Sequence, residues 1–137
     1  MAVIQELIRK EADGTISFGN YLLKEKSKIS DFEHDGDLYK VKTYNKITKL
    51  EKNGMFVYES VPGTAVFHLR QDENELSFDV TGEDTVQITL ELEAEKEYQI
   101  YKNEELMGTM KTNLGGKLIF SVELSGNKQD SIKVVKL

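Results

Sequence analysis

One acidic segment of the sequence has the spacing of residues that bind a metal ion. Its carboxylates recur at alternate positions: Asp31, Glu33, Asp35 and Asp37. Gly36 stands sixth in the segment, as in the front of a calcium-binding loop. The twelfth position of such a loop needs a bidentate glutamate, and Lys42 occupies it. We therefore expect a solvated turn with weak Ca²⁺ binding at most, no functional metal site and no cofactor.

The remaining residues with catalytic potential lack the context that catalysis requires. No Ser or Thr stands in a Gly-x-Ser-x-Gly turn, and residues 115–117 do not complete a phosphate-binding loop. The absence of cysteine excludes thiol nucleophiles and thiolate metal ligands. Glycosidases need two carboxylates at ~5–10 Å, and no acidic pair is distinguished in the sequence. The sequence predicts no catalytic residue and favours a protein that is not an enzyme.

Tyrosine is the residue type best suited to ligand contact in this chain, which has six tyrosines and no tryptophan. A tyrosine at a strand edge can stack on a sugar ring or anchor a protein partner. Tyr98 and Tyr101 have opposite parity along one strand, so one of them should face outward. The candidates for contact with a ligand or partner are Tyr44, Tyr58, Tyr98 and Tyr101.

The elements that must position these residues are strands. In residues 117–124, apolar side chains recur at every second position, which is the period of a strand with one buried face. Similar segments are separated by Asp-Gly, Asn-Gly, Pro-Gly and Gly-Gly turns. The pattern predicts an all-β, antiparallel sandwich or barrel-like fold of about ten strands. The predicted core is Ile16, Phe18, Val41, Phe56, Phe67, Leu69, Phe78, Val80, Ile88, Leu90, Ile100, Leu118, Phe120, Val122 and Val134.

Two places in the chain bear on its organisation. Residues 3–11 lead into Asp13-Gly14 and residues 15–18, which favours a strand-turn-strand arrangement, with a short helix at residues 3–11 as the alternative. The only proline is Pro62, and Pro62-Gly63 suits a type II turn, with Gly at positive φ. We place a boundary there, between an N-terminal β-hairpin subdomain at residues 1–62 and a C-terminal β-sandwich module at residues 63–137.

The charge distribution excludes some partners. The formal net charge of −6 disfavours nucleic acid, because binding a polyanion needs clustered basic residues. The lysines between Lys24 and Lys52 alternate with core positions, so we interpret them as solvated strand faces. No run of about 18 apolar residues or signal-peptide pattern is present, so we expect no membrane partner and a cytoplasmic location.

The C-terminal half carries a resemblance to known modules. Residues 97–101, 107–109 and 112–122 follow the order strand, polar turn, Gly-Thr strand, Thr-x-x-Gly-Gly turn and strand. This part resembles the small β-sandwich tail modules of bacterial carbohydrate-active enzymes, and this resemblance implies a sandwich fold and a glycan partner. The whole chain resembles a group of short bacterial all-β proteins that sometimes carry the name endosialidase.

The residue chemistry does not fit a sialidase. Sialidases hold the substrate carboxylate with three arginines, whereas this chain has only Arg9 and Arg70. The repeated Asp-box turns of sialidase propellers need tryptophan, which the chain lacks. We therefore interpret the name as transferred from other proteins.

Two functions follow as hypotheses. The first is a non-catalytic binding or assembly module that acts through strand edges and exposed tyrosines, either as a homo-oligomer or with another protein. The alternative is a small carbohydrate-active enzyme or its sugar-binding accessory module.

Overall fold

The computed structural model describes residues 2–126 and 128–137 and forms an antiparallel β-sandwich. Thirteen strands occur within these residues. They are β1 (Ile8–Lys10), β2 (Ile16–Phe18), β3 (Ser27–His34), β4 (Asp37–Tyr44), β5 (Ile47–Lys52), β6 (Met55–Val61), β7 (Thr64–Gln71), β8 (Glu75–Gly82), β9 (Thr85–Glu91), β10 (Glu97–Lys102), β11 (Glu105–Lys111), β12 (Lys117–Glu123) and β13 (Asp130–Lys136).

The strands divide into two sheets. Sheet 1 has seven strands in the order β1-β2-β7-β8-β13-β10-β11, and sheet 2 has six in the order β12-β9-β6-β5-β4-β3. Neither sheet closes on itself in the described part of the chain, so the sandwich prediction is confirmed and the barrel-like alternative is not. No helix there has the length and hydropathy needed to cross a membrane. Both sheets contain strands from either side of Pro62, and the boundary at that residue stays a prediction.

The third strand, β3, extends into residues that were predicted to form a turn. Its apolar residues Ile29 and Phe32 are three positions apart, which breaks the period of two. The cause is a bulge between them, where Asp31 takes a φ of 58°. The predicted acidic turn is therefore wrong in extent: Asp31 and Glu33 lie within β3, and only the Asp35-Gly36 step forms the turn.

Of the turns and hairpins predicted from the sequence, two are confirmed and one is wrong. Residues 3–11 contain a strand, since β1 pairs antiparallel with β2, and the Asn53-Gly54 hairpin joins β5 to β6; both predictions are confirmed. The type II turn at Pro62-Gly63 is wrong, because Gly63 has no positive φ. A Cβ atom at Gly63 would instead collide with the carbonyl oxygen of Tyr44. Close packing, rather than backbone conformation, requires this glycine.

Of the predicted core, all members except Phe56 and Leu69 are buried. One extra residue in β6, Val57, opposes the Leu50–Glu51 step and turns Phe56 to the outer face of sheet 2. There the ammonium of Lys117 lies 3.8 Å from the Phe56 ring centroid. A bulge in β7 likewise separates the two apolar residues that were expected to share a face. Phe67 joins a second cluster with Ile4, Tyr21 and Ala65, whereas the half-buried Leu69 packs on the main core.

A network of buried hydroxyl groups links the two sheets at the β6–β7 connection. Its centre is Thr64 of β7, whose hydroxyl oxygen lies 2.8 Å from both the Tyr58 hydroxyl and the Ser60 hydroxyl of β6. The Thr48 hydroxyl of β5 donates to the carbonyl oxygen of Thr64 at 2.8 Å and lies 2.8 Å from the Thr43 hydroxyl of β4. All five side chains are fully buried, so these bonds replace water for every hydroxyl involved.

We predict that Thr64→Val destabilises the protein by about 2 kcal/mol, because the buried hydroxyls of Tyr58 and Ser60 then lose their partner. Urea unfolding followed by fluorescence or circular dichroism measures the change. Thr85→Val, at an exposed position of β9, is the matched control and should change the free energy of unfolding by less than about 0.5 kcal/mol. Equal effects of the two substitutions would contradict a structural role for the network.

Candidate functional site

The four candidate tyrosines do not form one surface. Tyr58 is fully buried, its ring packs edge-on against Phe18 and Phe78, and burial raises the pKa of its hydroxyl to about 12. Tyr98 is also buried, and its hydroxyl oxygen accepts a hydrogen bond from the Glu93 amide at 3.1 Å. Both were predicted to contact ligands at the surface, and that prediction is corrected because both occupy inward positions of their strands.

The two remaining tyrosines lie at the surface but on different sheets. Tyr101 of β10 is half-buried, and its hydroxyl donates to Gln99 at 3.0 Å. Opposite orientations of Tyr98 and Tyr101 confirm the expectation from strand parity. Tyr44 of β4 is half-buried in sheet 2. The pair therefore offers no common platform for a sugar ring.

The acidic segment does not gather its carboxylates. Within residues 2–126 and 128–137, no group of three or more His, Asp or Glu side chains is placed to hold a metal ion. Asp37 instead accepts a hydrogen bond from the Asn53 amide at 2.9 Å and pairs with Lys52 at 3.6 Å. His34 lies 3.0 Å from the Gly14 carbonyl oxygen and 3.3 Å from Asp35. The side chains of this segment thus pair with neighbouring turns.

A cluster of Asp13, Thr15 and His68 resembles a catalytic triad in residue type but not in geometry. The Thr15 hydroxyl and a carboxylate oxygen of Asp13 each lie 3.1 Å from the same ring nitrogen of His68, Nδ1. A triad needs the nucleophile and the acid on different ring nitrogens. The Thr15 hydroxyl also donates to Asp13. The cluster therefore holds the turn between β1 and β2 and cannot activate the hydroxyl as a nucleophile.

The Asp13 carboxylate gives the cluster a pH dependence. Hydrogen bonds from the hydroxyl and amide of Thr15, together with nearby His68, hold the pKa of Asp13 at about 2. A carboxyl whose folded pKa lies below its unfolded value stabilises the fold above the unfolded pKa, about 4, and this contribution is lost as the pH falls toward 2.

The two long sides of the sandwich differ in how their edges are covered. On one side, β1 and β3 end the two sheets and contact each other: Lys10 lies 5.9 Å from the Phe32 ring, and His34 reaches Gly14. On the other side, β11 ends sheet 1 and β12 ends sheet 2, and neither has a second partner strand in the described chain. We call the outer borders of β11 and β12, with the loop between them, the open edge.

Exposed apolar side chains concentrate at the open edge. Every residue of β11 is exposed except the half-buried Gly108. The large apolar side chains there, with their exposed fractions, are Leu106 (54%), Met107 (45%), Met110 (37%), Leu114 (82%) and Ile119 (46%). Strand edges in monomeric proteins are normally protected by inward charges, proline, short length or a bulge, and the middle of β11 has only the bulge at Met107. Such a strand is a template for pairing with another chain.

Gly108 lies at the middle of β11, beside a cleft of about 410 Å³ that is lined by residues of β9, β10, β11 and β12. A Cβ atom at this position would meet no atom within 4 Å, and its φ is not positive. Neither backbone conformation nor packing within one chain requires glycine there. Glycine inside a strand is typical of a bulge or of a place where another backbone approaches. A bulge at the adjacent Met107 accounts for part of this pattern, and the open space remains.

Comparison of the chain with protein-family models, curated proteins and solved structures found no match. The resemblance to tail modules of carbohydrate-active enzymes stays a prediction. The sequence analysis did not single out the open edge, although one signal for it is present. Leu106 and Met107 are adjacent apolar residues in a strand, so apolar side chains occur on both of its faces.

We predict that Asp13→Asn reduces the loss of stability between pH 4 and pH 2, because the substituted side chain no longer takes up a proton on unfolding. Urea unfolding at several pH values measures this difference. Asp84→Asn, in the exposed β8–β9 turn, is the matched control. Parallel pH curves for wild type and Asp13→Asn would show that Asp13 does not contribute.

Proposed function

We propose that the protein is a non-catalytic assembly module that associates with a second copy of itself through β11. The observation that supports this most directly is the unpaired, apolar border of β11. Pairing there would satisfy backbone groups and bury Leu106 and Met110 at the same time. The joined structure would be a two-fold dimer in which two seven-stranded sheets continue into each other.

The sequence of β11 is complementary to itself in one direction. When two copies pair antiparallel about Gly108 and the bulge at Met107 straightens, Glu105 of each copy lies opposite Lys111 of the other, and Leu106 lies opposite Met110. A parallel arrangement would place glutamate against glutamate and lysine against lysine, which is unfavourable. Neither charged residue has an ion pair in the described part of one chain, so both are available for the pairing.

Gly108 would lie on the two-fold axis of this dimer. Because glycine has no side chain, the two main chains meet there without facing side chains between them. The cleft beside each Gly108 leaves room for the apolar side chains of β11 to pack. The dimer thus explains why glycine occupies position 108, whereas nothing in the single chain requires glycine there.

The alternative, a sugar-binding accessory module, has weaker support. It rests on the resemblance of the C-terminal half and on Tyr44 and Tyr101, which lie on separate sheets. A glycan array with wild type and Tyr101→Ala tests it. We expect no signal above background, and binding that depends on Tyr101 would favour the alternative.

We predict that wild type forms a dimer in sedimentation velocity between about 1 and 300 μM, and that Glu105→Lys weakens it at least tenfold, because like charges then face each other. Lys111→Glu should have the same effect. The double variant Glu105→Lys/Lys111→Glu restores opposite charges and should recover the dimer.

The control for this experiment is Glu73→Lys, which makes the same charge change in the exposed β7–β8 turn. It should leave the dimer intact. A strict monomer across the concentration range would overturn the proposal, and so would equal weakening by the double variant and both single variants.

A further inference from the structure

Three lysines form a row across the outer face of sheet 2. Lys28 of β3 lies directly opposite Lys42 of β4, and Lys42 lies directly opposite Lys49 of β5. Neighbouring strands are about 4.8 Å apart, so the Cα atoms of the three lysines lie within a span of about 10 Å. We call these three residues the lysine row.

The register of the lysine row is electrostatically unfavourable in the isolated chain. Like charges directly opposite each other on neighbouring strands destabilise a sheet. In the part of the chain that the structure describes, none of the three forms an ion pair with a carboxylate. A nearby aromatic ring gives only partial compensation, since the Lys49 ammonium lies 5.8 Å from the centroid of Phe56.

The central lysine experiences this crowding most strongly. Partial burial lowers the pKa of Lys42, and the charges of Lys26, Lys49 and Lys28 lower it further. Glu59 acts in the opposite direction and does not compensate. Positive potential is therefore concentrated at Lys42, although the whole chain has a formal charge of −6.

The surface around the row is shaped for a compact ligand. A hollow of about 180 Å³ is lined by Lys40, Glu51 and the three lysines of the row, and it has room for about six water molecules. Acidic residues border it: Lys49 lies opposite Glu59 on β6, and Lys40 lies opposite Glu51 on β5. A long polyanion crossing the sheet would meet both carboxylates, whereas a short one seated in the hollow would meet four lysines and the single carboxylate of Glu51.

We propose that the lysine row is a binding site for a short chain of linked phosphates. Such a ligand carries several negative charges close together, which matches three ammonium groups at strand spacing. It would convert the repulsion between Lys28, Lys42 and Lys49 into attraction. The ligand source is either a free oligophosphate or the phosphate chain of a nucleotide. The site lies on sheet 2, apart from the β11 border of sheet 1, so it does not depend on self-association.

The experiment uses sodium tripolyphosphate as the probe, in metal-free buffer of about 20 mM ionic strength. Calorimetric titration of wild type should show saturable binding. At a concentration 100 times the dissociation constant, tripolyphosphate should lower the unfolding equilibrium constant about 100-fold, seen as a higher melting temperature. Lys42→Gln should weaken binding at least tenfold. Lys133→Gln, an equal charge change at an exposed position of β13, should leave it unchanged.

Parallel titrations with ATP identify the ligand source. Tighter binding of ATP than of tripolyphosphate would support the site and point to a nucleotide, whereas equal or weaker binding would support the site and point to the phosphate chain alone. Orthophosphate at matched ionic strength should raise the melting temperature of the protein much less than tripolyphosphate does. A single-stranded oligonucleotide that binds more tightly than both would overturn the proposal in favour of a polymer-binding surface.

A second measurement does not need the ligand. Lys42→Gln without phosphate should melt at a higher temperature than wild type, because it removes repulsion from both sides of the row. The gain should shrink in about 0.5 M salt, where charges are screened. The proposal is overturned if tripolyphosphate does not bind, if orthophosphate stabilises equally, or if both lysine variants weaken binding alike. Sedimentation velocity of Lys42→Gln should show the same dimer as wild type. A loss of phosphate binding in this variant is then not caused by a loss of self-association.

Discussion

The buried hydroxyl network around Thr64 holds the two sheets together. It joins β4, β5 and β6 of sheet 2 to β7 of sheet 1, at the point where the chain passes between the sheets. Each hydroxyl is buried, so each one needs its hydrogen-bond partner in place, because no water can replace it. Two glycines allow the required approach, because a Cβ at Gly19 would collide with the Thr64 carbonyl oxygen and one at Gly63 with that of Tyr44. The relative placement of the sheets follows from these contacts.

That placement leaves the sandwich with one covered side and one open side. Where β1 and β3 meet, Lys10, Phe32 and His34 bridge the two sheets. Where β11 and β12 end them, apolar side chains and backbone groups stay exposed. The same fold thus buries its interior and retains one border suited to strand pairing, which is the physical basis of the proposed assembly. The β11 sequence, acidic at its start and basic at its end, favours an antiparallel copy of itself.

Charge is distributed unevenly over this molecule, and the net charge does not show this distribution. Acidic residues outnumber basic ones, yet the register of β3, β4 and β5 gathers Lys28, Lys42 and Lys49 on one face. We interpreted these lysines from sequence as solvated strand positions, and each does lie at an outward position. Their alignment across strands could not be read from the sequence, because it depends on which residues the hairpins and the β3 bulge place opposite each other.

Local periodicity and turn chemistry were enough to predict an antiparallel all-β chain, the hairpin at Asn53-Gly54 and most of the core. The face that each side chain occupies beyond a bulge became clear only in the folded protein. One extra residue in a strand reverses the faces of the residues on one side of it relative to those on the other, which is why Phe56 lies outside and why Phe67 and Leu69 pack on different clusters. The order of the strands in each sheet also became clear only in the folded protein. Pairing between distant segments leaves no periodic pattern in the sequence. The open edge and the lysine row both arise from that long-range pairing, so neither could be predicted before the sheets were assembled.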